Sequence, residues 1–237
     1  MSERGEPLED WPLLMATARK DGVPNPRIGE LCIELAQVAG AGISLMTLAG
    51  NSGVLYASDD TAAQIEELQF VLGEGPCMDA FGHGGPVFIA DLEDPEEGIA
   101  QRWPAFLRSA SELGVRAVYA IPLCIGAIRV GVMDLYRREP GVLEPQQLAS
   151  ALLLADVAAL SLLHRESADV TSLDAGGRAT YRIEVHQATG MVGVQTGRPL
   201  ADALLLLRAH AFSEGKPVDA IARDVIAGRL RFPREGP

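Results

Sequence analysis

The sequence has few of the residues from which metal centres and disulfide frameworks are built. It contains three cysteines and four histidines in 237 residues. The cysteines, Cys32, Cys77 and Cys124, lie far apart and form no CxxC pair, which argues against a disulfide framework and against a zinc cluster. No two histidines show the HxxxH spacing of a helical metal site. We therefore expect no metal centre, and a reducing cytosol is the simplest location.

The sequence also lacks the patterns typical of enzymes and of membrane proteins. It has no GxxxxGK[ST] phosphate loop and no recognisable Ser/His/Asp arrangement, so we expect a protein without catalytic activity. No run approaches the ~18 uncharged apolar residues of a membrane helix. The acidic residues 1–11 do not resemble a secretion signal. These absences predict a cytoplasmic protein that does not contact a membrane.

Charge is divided unevenly along the chain. The net charge is −12, and apolar residues make up 48% of the sequence, enough for a buried core. Residues 178–237 carry nine basic and six acidic residues, a net of +3. Residues 1–177 carry 11 basic and 26 acidic residues, a net of −15. A surface for a polyanion is therefore expected only in the C-terminal segment.

Turn-forming and polar segments divide the chain into four parts. The GVPNP cluster ends an N-terminal arm, residues 1–26. Helical and strand periodicities alternate through residues 27–165. Residues 166–177 are small and polar, as in a linker, and three amphipathic helices are predicted in residues 178–237. The predicted fold is α+β: an antiparallel sheet flanked by helices, joined to a small all-α bundle of three helices.

The loop LGEGPC at residues 72–77 is a candidate for a binding site. Glycines let a backbone approach a ligand closely, which is typical of a pocket lid, although the residues alone favour an ordinary tight turn before a short helix. Cys77 is either a reactive thiol or, more simply, a buried one. His83 is either a ligand of haem or a metal, or a solvated loop residue. The acidic residues 91–97 are either carboxylates for proton transfer or a solvated surface.

Residues 27–164 resemble a GAF domain of the type found in bacterial regulators. The resemblance rests on the predicted first helix, the strand GISLMTL, the LGEGPC loop with the Pro86-Val87 pair that follows it, and the segments IPL and GVMDLY. It implies an antiparallel sheet flanked by helices, frequent dimerisation and a small-molecule ligand of unknown identity. If the domain has a ligand cavity, its lining is expected to come from the loop and nearby apolar residues. These residues are Phe70, Leu72, Cys77, Met78, Phe81, Phe88 and Val118. A cavity filled by side chains is the alternative.

Residues 178–237 resemble an ANTAR domain, the transcription antitermination regulator module. The match lies in VHQATGMV at residues 185–192, in the AL and LRAHA segments that follow, and in IARDV at residues 221–225. The family implies binding to paired RNA hairpins in leader transcripts, which blocks terminator formation. Many members have lysine where Thr189 stands, and Pro199 occupies a position where a capping serine is common. The expected RNA-binding residues are Arg182, His186, Thr189, Gly190, Arg198, Arg208, Lys216 and Arg223. A basic, merely solubilising surface is the alternative.

The leading hypothesis is a GAF–ANTAR regulator that binds RNA as a homodimer. Dimerisation is expected through the long predicted helix at residues 145–165, whose alanine-rich stripe could instead pack within its own domain. Two other classes stay open: a DNA-binding transcription factor, because residues 200–230 superficially read as helix-turn-helix, and a protein–protein signalling adaptor. The last predicted helix offers only Arg223 and Arg229 as base readers and no Asn or Gln, which disfavours DNA recognition.

Overall fold

The structure, a computed structural model, describes residues 26–47, 50–163 and 178–233. The predicted N-terminal arm, apart from Pro26, the predicted linker and the side chain of Arg182 lie outside the described part of the chain. The described helices and strands are, in chain order, α1 (Pro26–Ala36), β1 (Gly40–Thr47), β2 (Gly50–Ala57), α2 (Asp60–Leu72), α3 (Pro76–His83), β3 (Val87–Ile89), α4 (Ile99–Arg102), α5 (Pro104–Glu112), β4 (Ala117–Ile125), β5 (Ile128–Arg137), α6 (Pro145–Leu163), α7 (Arg178–Thr196), α8 (Leu200–Glu214) and α9 (Val218–Ile226).

The five strands form one antiparallel sheet in the order β2-β1-β5-β4-β3. The two longest strands, β4 and β5, are near the middle of the sheet and pair along most of their length. The apolar run of β4 and the largely apolar sequence of β5, which Asp134 interrupts, explain this position, because both faces of a central strand are covered. The predicted antiparallel sheet with flanking helices is therefore confirmed.

Alternating side chains of the sheet point into two separate cores. On one face, Tyr119, Ile121, Met133 and Leu135 pack against α1 and α6. On the other face, Val118 and its neighbours pack against α2, α3 and α5. The period of two along each strand produces this division. On β5, Val132 packs against residues of α3, whereas Met133 and Leu135 pack in the core with α1 and α6.

One described helix, α6, is long and apolar enough to cross a membrane by length and composition. Its stripe of Ala151, Leu154, Ala155 and Ala158 is buried against α1 and the sheet. The helix thus serves as a core helix of the domain, which accounts for its apolar composition. The expected cytoplasmic location stays a prediction.

Helices α7, α8 and α9 pack around a core of their own, as their periodicity predicted. Small and branched residues such as Ala188, Leu204, Leu207 and Ile221 fill this core and are at most 1% exposed. One member of the same cluster, Phe70, comes from α2 and is fully buried there. The bundle is therefore docked on the sheet-bearing domain through a side chain of that domain.

Candidate functional site

The LGEGPC loop joins α2 to α3 by a sharp change of direction. Gly73 ends α2 with a φ of 70°, and Gly75 has a φ of 127° immediately before Pro76, the first residue of α3. Both φ values lie in the region that glycine adopts without steric cost. Pro76 suits the first position of a helix because its ring fixes φ and its missing N–H is not needed there. The conformation of the loop is therefore fixed by its two glycines and by Pro76.

Glu74, in the middle of this loop, caps a helix that lies 30 residues further along the chain. Its Oε1 accepts hydrogen bonds from the backbone N–H groups of Ala105 (2.7 Å) and Phe106 (2.8 Å) at the start of α5. The residue before α5, Trp103, supplies no side-chain cap of its own. A carboxylate at this position also complements the positive end of the helix dipole. The loop is thus fixed to α5 through one side chain.

Replacing Glu74 by alanine should lower the free energy of unfolding by about 1–2 kcal/mol, the usual cost of losing a helix cap. Glu74→Gln keeps an acceptor and should lose less. Urea denaturation followed by circular dichroism measures both. Glu112→Ala is the matched control, because Glu112 is exposed at the opposite end of α5. If Glu74→Ala costs no more than Glu112→Ala, the cap contributes nothing.

A polar cluster is buried between the sheet and α2, where apolar side chains would be expected. It consists of Ser44 on β1, Glu66 and Gln69 on α2, and Asp134 on β5, each at most 4% exposed. The hydroxyl of Ser44 donates to Oε2 of Glu66. The amide of Gln69 donates to Oδ2 of Asp134 at 3.0 Å and accepts from the backbone N–H of Cys77 at 2.7 Å. Gln69 therefore connects Asp134 to the start of α3 and the glycine-rich loop.

Two carboxyl groups meet in this cluster, and ionising both of them in the buried site costs free energy. Burial is the largest cause that raises the pKa of Asp134 well above its ordinary value, and the nearby carboxylate of Glu66 raises it further. The donated hydrogen bond from Gln69 acts in the opposite direction but does not compensate. Oδ1 of Asp134 accepts no hydrogen bond from a described N–H or O–H group. Burial and the charge of Glu66 therefore both favour the protonated form of Asp134, in which the pair carries one negative charge instead of two.

The structure accommodates the pair by using small residues around it. Gly42 lies opposite Asp134 in the β1–β5 register, and Ala120 lies opposite Asp134 on β4. A Cβ atom on Gly42 would collide with the carboxylate of Glu66. The space beside Asp134 has no volume for a water molecule (≈ 0 Å³). The alternative expectation, a site filled by side chains, therefore describes the space on this face of the sheet beside Asp134.

Five of the seven residues predicted to line a ligand cavity lie on this face of the sheet. Cys77, Met78 and Phe81 pack in one cluster, and Leu72 and Val118 pack in the neighbouring one. Cys77 and Val118 are fully buried. Of these five residues, Cys77 binds Gln69 of the polar cluster and Val118 lies beside Asp134. Their role in ligand binding stays a prediction.

The other two predicted lining residues are elsewhere, which corrects the expectation of a single cavity. Phe70 belongs to the core of the C-terminal bundle, because α2 turns that residue away from the sheet. Phe88 lies on the outward side of the edge strand β3, 37% exposed, and contacts the ring of Tyr119 edge-on at 6.0 Å. It borders a surface cleft of about 300 Å³. The other residues of this cleft include Asp94, Glu96, Val142, Leu143 and Leu148.

Cys32 and Asp91 both contact other side chains of the domain. Burial raises the pKa of Cys32 to about 12, and its thiol contacts the sulfur of Met133 at 3.3 Å. Asp91 binds Arg116 through both carboxylate oxygens, and this hydrogen bond is the main cause of the lowered pKa of Asp91. His83 is exposed. Within the described residues no group of three or more metal-ligating side chains comes together.

The predicted RNA-binding residues divide into outward and inward groups. Arg198, Lys216 and Arg223 are exposed. Lys216 pairs with Glu214 at 3.4 Å, and Arg223 pairs with Asp219. The backbone at Gly190 borders open space, because a Cβ atom there would meet nothing within 4 Å.

Three other predicted RNA-binding residues point inward, contrary to the expectation of an RNA-facing surface. Thr189 is 3% exposed, and its hydroxyl donates to the carbonyl oxygen of Val185 at 2.7 Å. His186 lies edge-on to the ring of Phe70 at 6.1 Å. Arg208 donates to the carbonyl oxygen of Phe70, and its guanidinium group lies 5.6 Å from the centre of that ring. His186 and Arg208 therefore hold Phe70 at the junction of the two domains.

Sequence reasoning did not identify the buried cluster of Ser44, Glu66, Gln69 and Asp134. One signal was present: Asp134 interrupts the otherwise apolar strand segment GVMDLY. Glu66 and Gln69 gave no comparable signal, because polar residues on a helix are ordinarily assigned to its exposed face. Their partners are 22 and 65 positions away in the sequence, so only the folded chain brings them together.

A five-stranded antiparallel sheet with helices on both faces defines an α+β domain. The sequence matches the GAF domain family over residues 27–162, more than half of the chain, and the protein belongs to that family. The GAF domain is a sensor domain typical of ligand-sensing signalling. A comparison with curated proteins found no match.

The solved structures to which this chain is similar are distant from it in sequence. The GAF domain region of a Geobacter sulfurreducens PCA protein is 17% identical, with a TM-score of 0.48, and covers 67% of this chain and 99% of its own. A GAF domain/HD domain protein from Geobacter sulfurreducens is 11% identical, with a TM-score of 0.46 and coverage of 63% and 96%. A free methionine-R-sulfoxide reductase from Neisseria meningitidis is 14% identical, with a TM-score of 0.45 and coverage of 65% and 86%.

Proposed function

We propose that the protein is an RNA-binding transcription antitermination regulator, in which the GAF sensor domain controls the C-terminal three-helix module. One observation carries this proposal: α2 contributes Glu66 and Gln69 to the buried polar cluster and Phe70 to the core of the C-terminal bundle. A change at the cluster therefore acts on the bundle through a single helix. In this proposal the protein is a cytoplasmic, non-catalytic homodimer.

RNA is the proposed partner because of the ANTAR resemblance and the charge of the bundle. The segment is the basic part of an otherwise acidic chain, and it exposes Arg198, Lys216 and Arg223. Arginine and lysine supply salt-dependent affinity for phosphates. The open backbone at Gly190 gives an RNA loop room to approach α7 closely, and RNA loops present unstacked bases to protein side chains.

Charge reversal at an exposed arginine of the bundle should weaken RNA binding. Arg198→Glu in the full chain is expected to lower the affinity for a paired-hairpin RNA about tenfold or more, because a phosphate contact is replaced by repulsion. Fluorescence anisotropy at physiological salt measures this affinity. Arg108→Glu is the matched control: it makes the same change of charge at an exposed position on α5 of the GAF domain, and it should leave the affinity within about twofold.

Three RNA and DNA probes separate the proposal from its alternatives. Binding of paired-hairpin RNA in preference to tRNA supports antitermination. Preference for duplex DNA would instead indicate the DNA-binding transcription factor. Absence of binding to any nucleic acid would contradict the RNA proposal and leave the signalling adaptor.

The dimer is proposed to form through the outward face of α6. Ala151, Ala155 and Ala159 are buried in the core of their own domain, whereas Leu152 is 39% exposed. Leu152→Asp should therefore yield a monomer of 25.2 kDa in multi-angle light scattering, with a folded circular dichroism spectrum. Ile128→Asp places the same acid at an apolar position on β5 that is 67% exposed, and it should stay dimeric. A folded, dimeric Leu152→Asp variant would exclude this face from the interface.

A further inference from the structure

We propose that the surface cleft beside the edge strand β3 binds a small amine that carries an apolar body, such as an arylalkylamine. The cleft has a volume of about 300 Å³, at the lower end of the range for small-molecule sites. One wall is formed by the end of β3 and the acidic segment after it, and the other by the loop before α6. The inference goes beyond the proposed function, because binding there requires neither RNA nor a dimer.

The cleft lies on the face of the sheet opposite to the buried polar cluster. Phe88 on β3 and Tyr119 on β4 are paired in the register of the sheet, and Tyr119 packs in the core that contains α1 and α6. The next pair, Ile89 and Val118, packs in the core on the other face. Because side chains alternate along a strand, Phe88 and Tyr119 point away from the polar cluster. The cleft is therefore distinct from the side of the sheet on which the cavity of the GAF domain is predicted.

Backbone hydrogen bonds hold the two walls of the cleft in place. The N–H of Gly141, in the loop before α6, donates to the carbonyl oxygen of Ala90 at 2.8 Å, which joins one wall to the other. The hydroxyl of Tyr119 donates to the carbonyl oxygen of Gly141 at 2.6 Å. The N–H of Leu92 donates to the carbonyl oxygen of Arg116 at 2.7 Å, which fixes the start of the acidic segment. A ligand therefore enters a site that is already formed, and little of its binding free energy is spent on ordering the chain.

The interior of the cleft is apolar and in part open to solvent. Phe88 is 37% exposed, and its ring lies edge-on to the buried ring of Tyr119 at 6.0 Å. Val142 is 66% exposed, and Leu148 of α6 lines the cleft beside it. Removing such apolar surface from water is favourable. An aromatic or branched aliphatic body that lies on Phe88 and between Val142 and Leu148 therefore supplies the apolar contacts that these side chains lack.

The rim of the cleft is negatively charged. Asp94 and Glu96 line it and are exposed, and no basic side chain of the described residues lies within 4.0 Å of their carboxylates. Asp91 also lines the cleft, but its charge is compensated by Arg116, which binds both of its carboxylate oxygens. An ammonium group complements the two remaining carboxylates, with which it forms charge-assisted hydrogen bonds.

The position of Arg137 sets the orientation of the amine. Its guanidinium group lies 5.6 Å from the centre of the Tyr119 ring, and it donates to the carbonyl oxygen of Val142 and to the side chain of Gln147. A cationic group near the Tyr119 ring would be repelled by this charge. We therefore place the apolar body of the ligand in the interior and its ammonium group at the rim, beside Asp94 and Glu96.

Three probes of related structure test the inference on the isotope-labelled full chain by nuclear magnetic resonance. Phenethylamine is a cation with an aromatic body, phenethyl alcohol has the same body without the charge, and methylamine has the charge without the body. Phenethylamine should shift the amide signals of Ala90, Val142 and Leu148 in a saturable manner, and should leave those of Cys77 and Phe81 on the other face unchanged. Each of the other two probes should bind about fivefold more weakly or worse.

Two sets of variants assign the binding to the rim and to the interior of the cleft. Asp94→Asn combined with Glu96→Gln should weaken the binding of phenethylamine about fivefold, because two exposed ion pairs are lost. Glu97→Gln combined with Glu112→Gln makes the same change of net charge at exposed positions outside the cleft, and should alter the affinity less than about twofold. Phe88→Ala should weaken binding about tenfold. Phe88→Leu keeps an apolar side chain and should lose less.

Several results would overturn the inference. They are equal binding of phenethyl alcohol, signal shifts confined to the other face of the sheet, no saturable binding of phenethylamine, or unchanged affinity in the folded Phe88→Ala or double acid variant. RNA binding is measured separately on the same chain. A chain that binds RNA but not phenethylamine removes the amine site alone, whereas a chain that binds phenethylamine but not RNA removes the proposed function alone.

Discussion

Phe70→Ala should reduce the free energy of unfolding by about 3–5 kcal/mol, the usual cost of truncating a buried aromatic residue. Phe70 is fully buried although its helix belongs to the GAF domain. Its ring is enclosed by residues of the bundle such as Val185 and Leu204, and it contacts the edge of His186 and the guanidinium group of Arg208. Removing the ring leaves a cavity between two domains, and the small bundle cannot refill it from one side.

The same variant should also change the shape of the unfolding curve. A bundle of three short helices has a small core, so its stability depends on the surface against which it docks. We expect urea denaturation of Phe70→Ala to show the bundle unfolding before the GAF domain, monitored by far-ultraviolet circular dichroism and by amide hydrogen exchange. Phe212→Ala is the matched control, because Phe212 is on α8 of the same bundle and is 90% exposed. Its effect should stay within about 0.5 kcal/mol.

A single cooperative transition in Phe70→Ala, with a loss no larger than that of Phe212→Ala, would contradict the role of Phe70 as the junction between the domains. In that case α2 would not connect the polar cluster to the bundle. The proposed control of RNA binding by the GAF domain would then need a different route.

Local patterns were sufficient to predict most of the fold. Strands β4 and β5 are long apolar runs, and α6, α8 and α9 show apolar residues at helical spacing, so each was predictable from its own segment. The antiparallel arrangement followed from the family resemblance and is confirmed. Short helices and strands without a strong hydrophobic periodicity were harder to predict. Helix α4 is only four residues long and gave no signal.

The contacts that define the site could not be predicted, because each joins distant parts of the sequence. Glu74 caps a helix 31 positions away, and Gln69 binds Asp134 at a separation of 65. The packing of Phe70 also could not be predicted from its own segment. Its apolar character predicted that it would be buried, but a helix with apolar residues on two sides contacts two cores, and the sequence does not indicate which core receives which residue. The expectation that Phe70 lines the GAF cavity was wrong for this reason.

The buried carboxyl pair is costly for a domain that needs only a packed core. Two apolar residues of similar volume would fill the same space without the desolvation penalty of a carboxylate. A costly arrangement in the interior of a sensor domain is typical of a functional site, where stability is exchanged for binding. This argument makes a prediction that can be tested on stability alone, before any ligand is identified.

The sign of the expected pH dependence follows from the raised pKa of Asp134. In the unfolded chain an aspartate has a pKa of about 4. In the folded protein, burial and then the charge of Glu66 raise the pKa of Asp134. The folded protein therefore binds a proton that the unfolded chain has released. The stabilisation from this proton is complete below the unfolded pKa and is lost as the pH rises through the raised, folded pKa. The wild-type protein should become less stable as the solution becomes more alkaline.

Asp134→Asn should remove this loss of stability at high pH, whereas Glu66→Gln should only reduce it, because burial, the largest cause of the raised pKa of Asp134, is still present. In Glu66→Gln, the new amide can donate to Asp134 while its oxygen still accepts from Ser44; in Asp134→Asn, the oxygen still accepts from Gln69. Each variant should be more stable than wild type by about 1–3 kcal/mol at about pH 9, because one buried carboxylate fewer must be desolvated. At a pH below the raised pKa of Asp134, where this group keeps its proton, the difference should be small.

Urea denaturation at a series of pH values measures this difference directly. Glu34→Gln removes an exposed carboxylate from α1 and should follow the wild-type curve throughout, which separates the effect of the buried pair from that of net charge. The comparison of the two buried variants is the sharper part of the experiment. Because burial still raises the pKa of Asp134 in Glu66→Gln, Asp134→Asn should flatten the curve more than Glu66→Gln does, and the double variant should add little to the effect of Asp134→Asn. Fully additive effects in the double variant would show that Glu66 and Asp134 titrate independently.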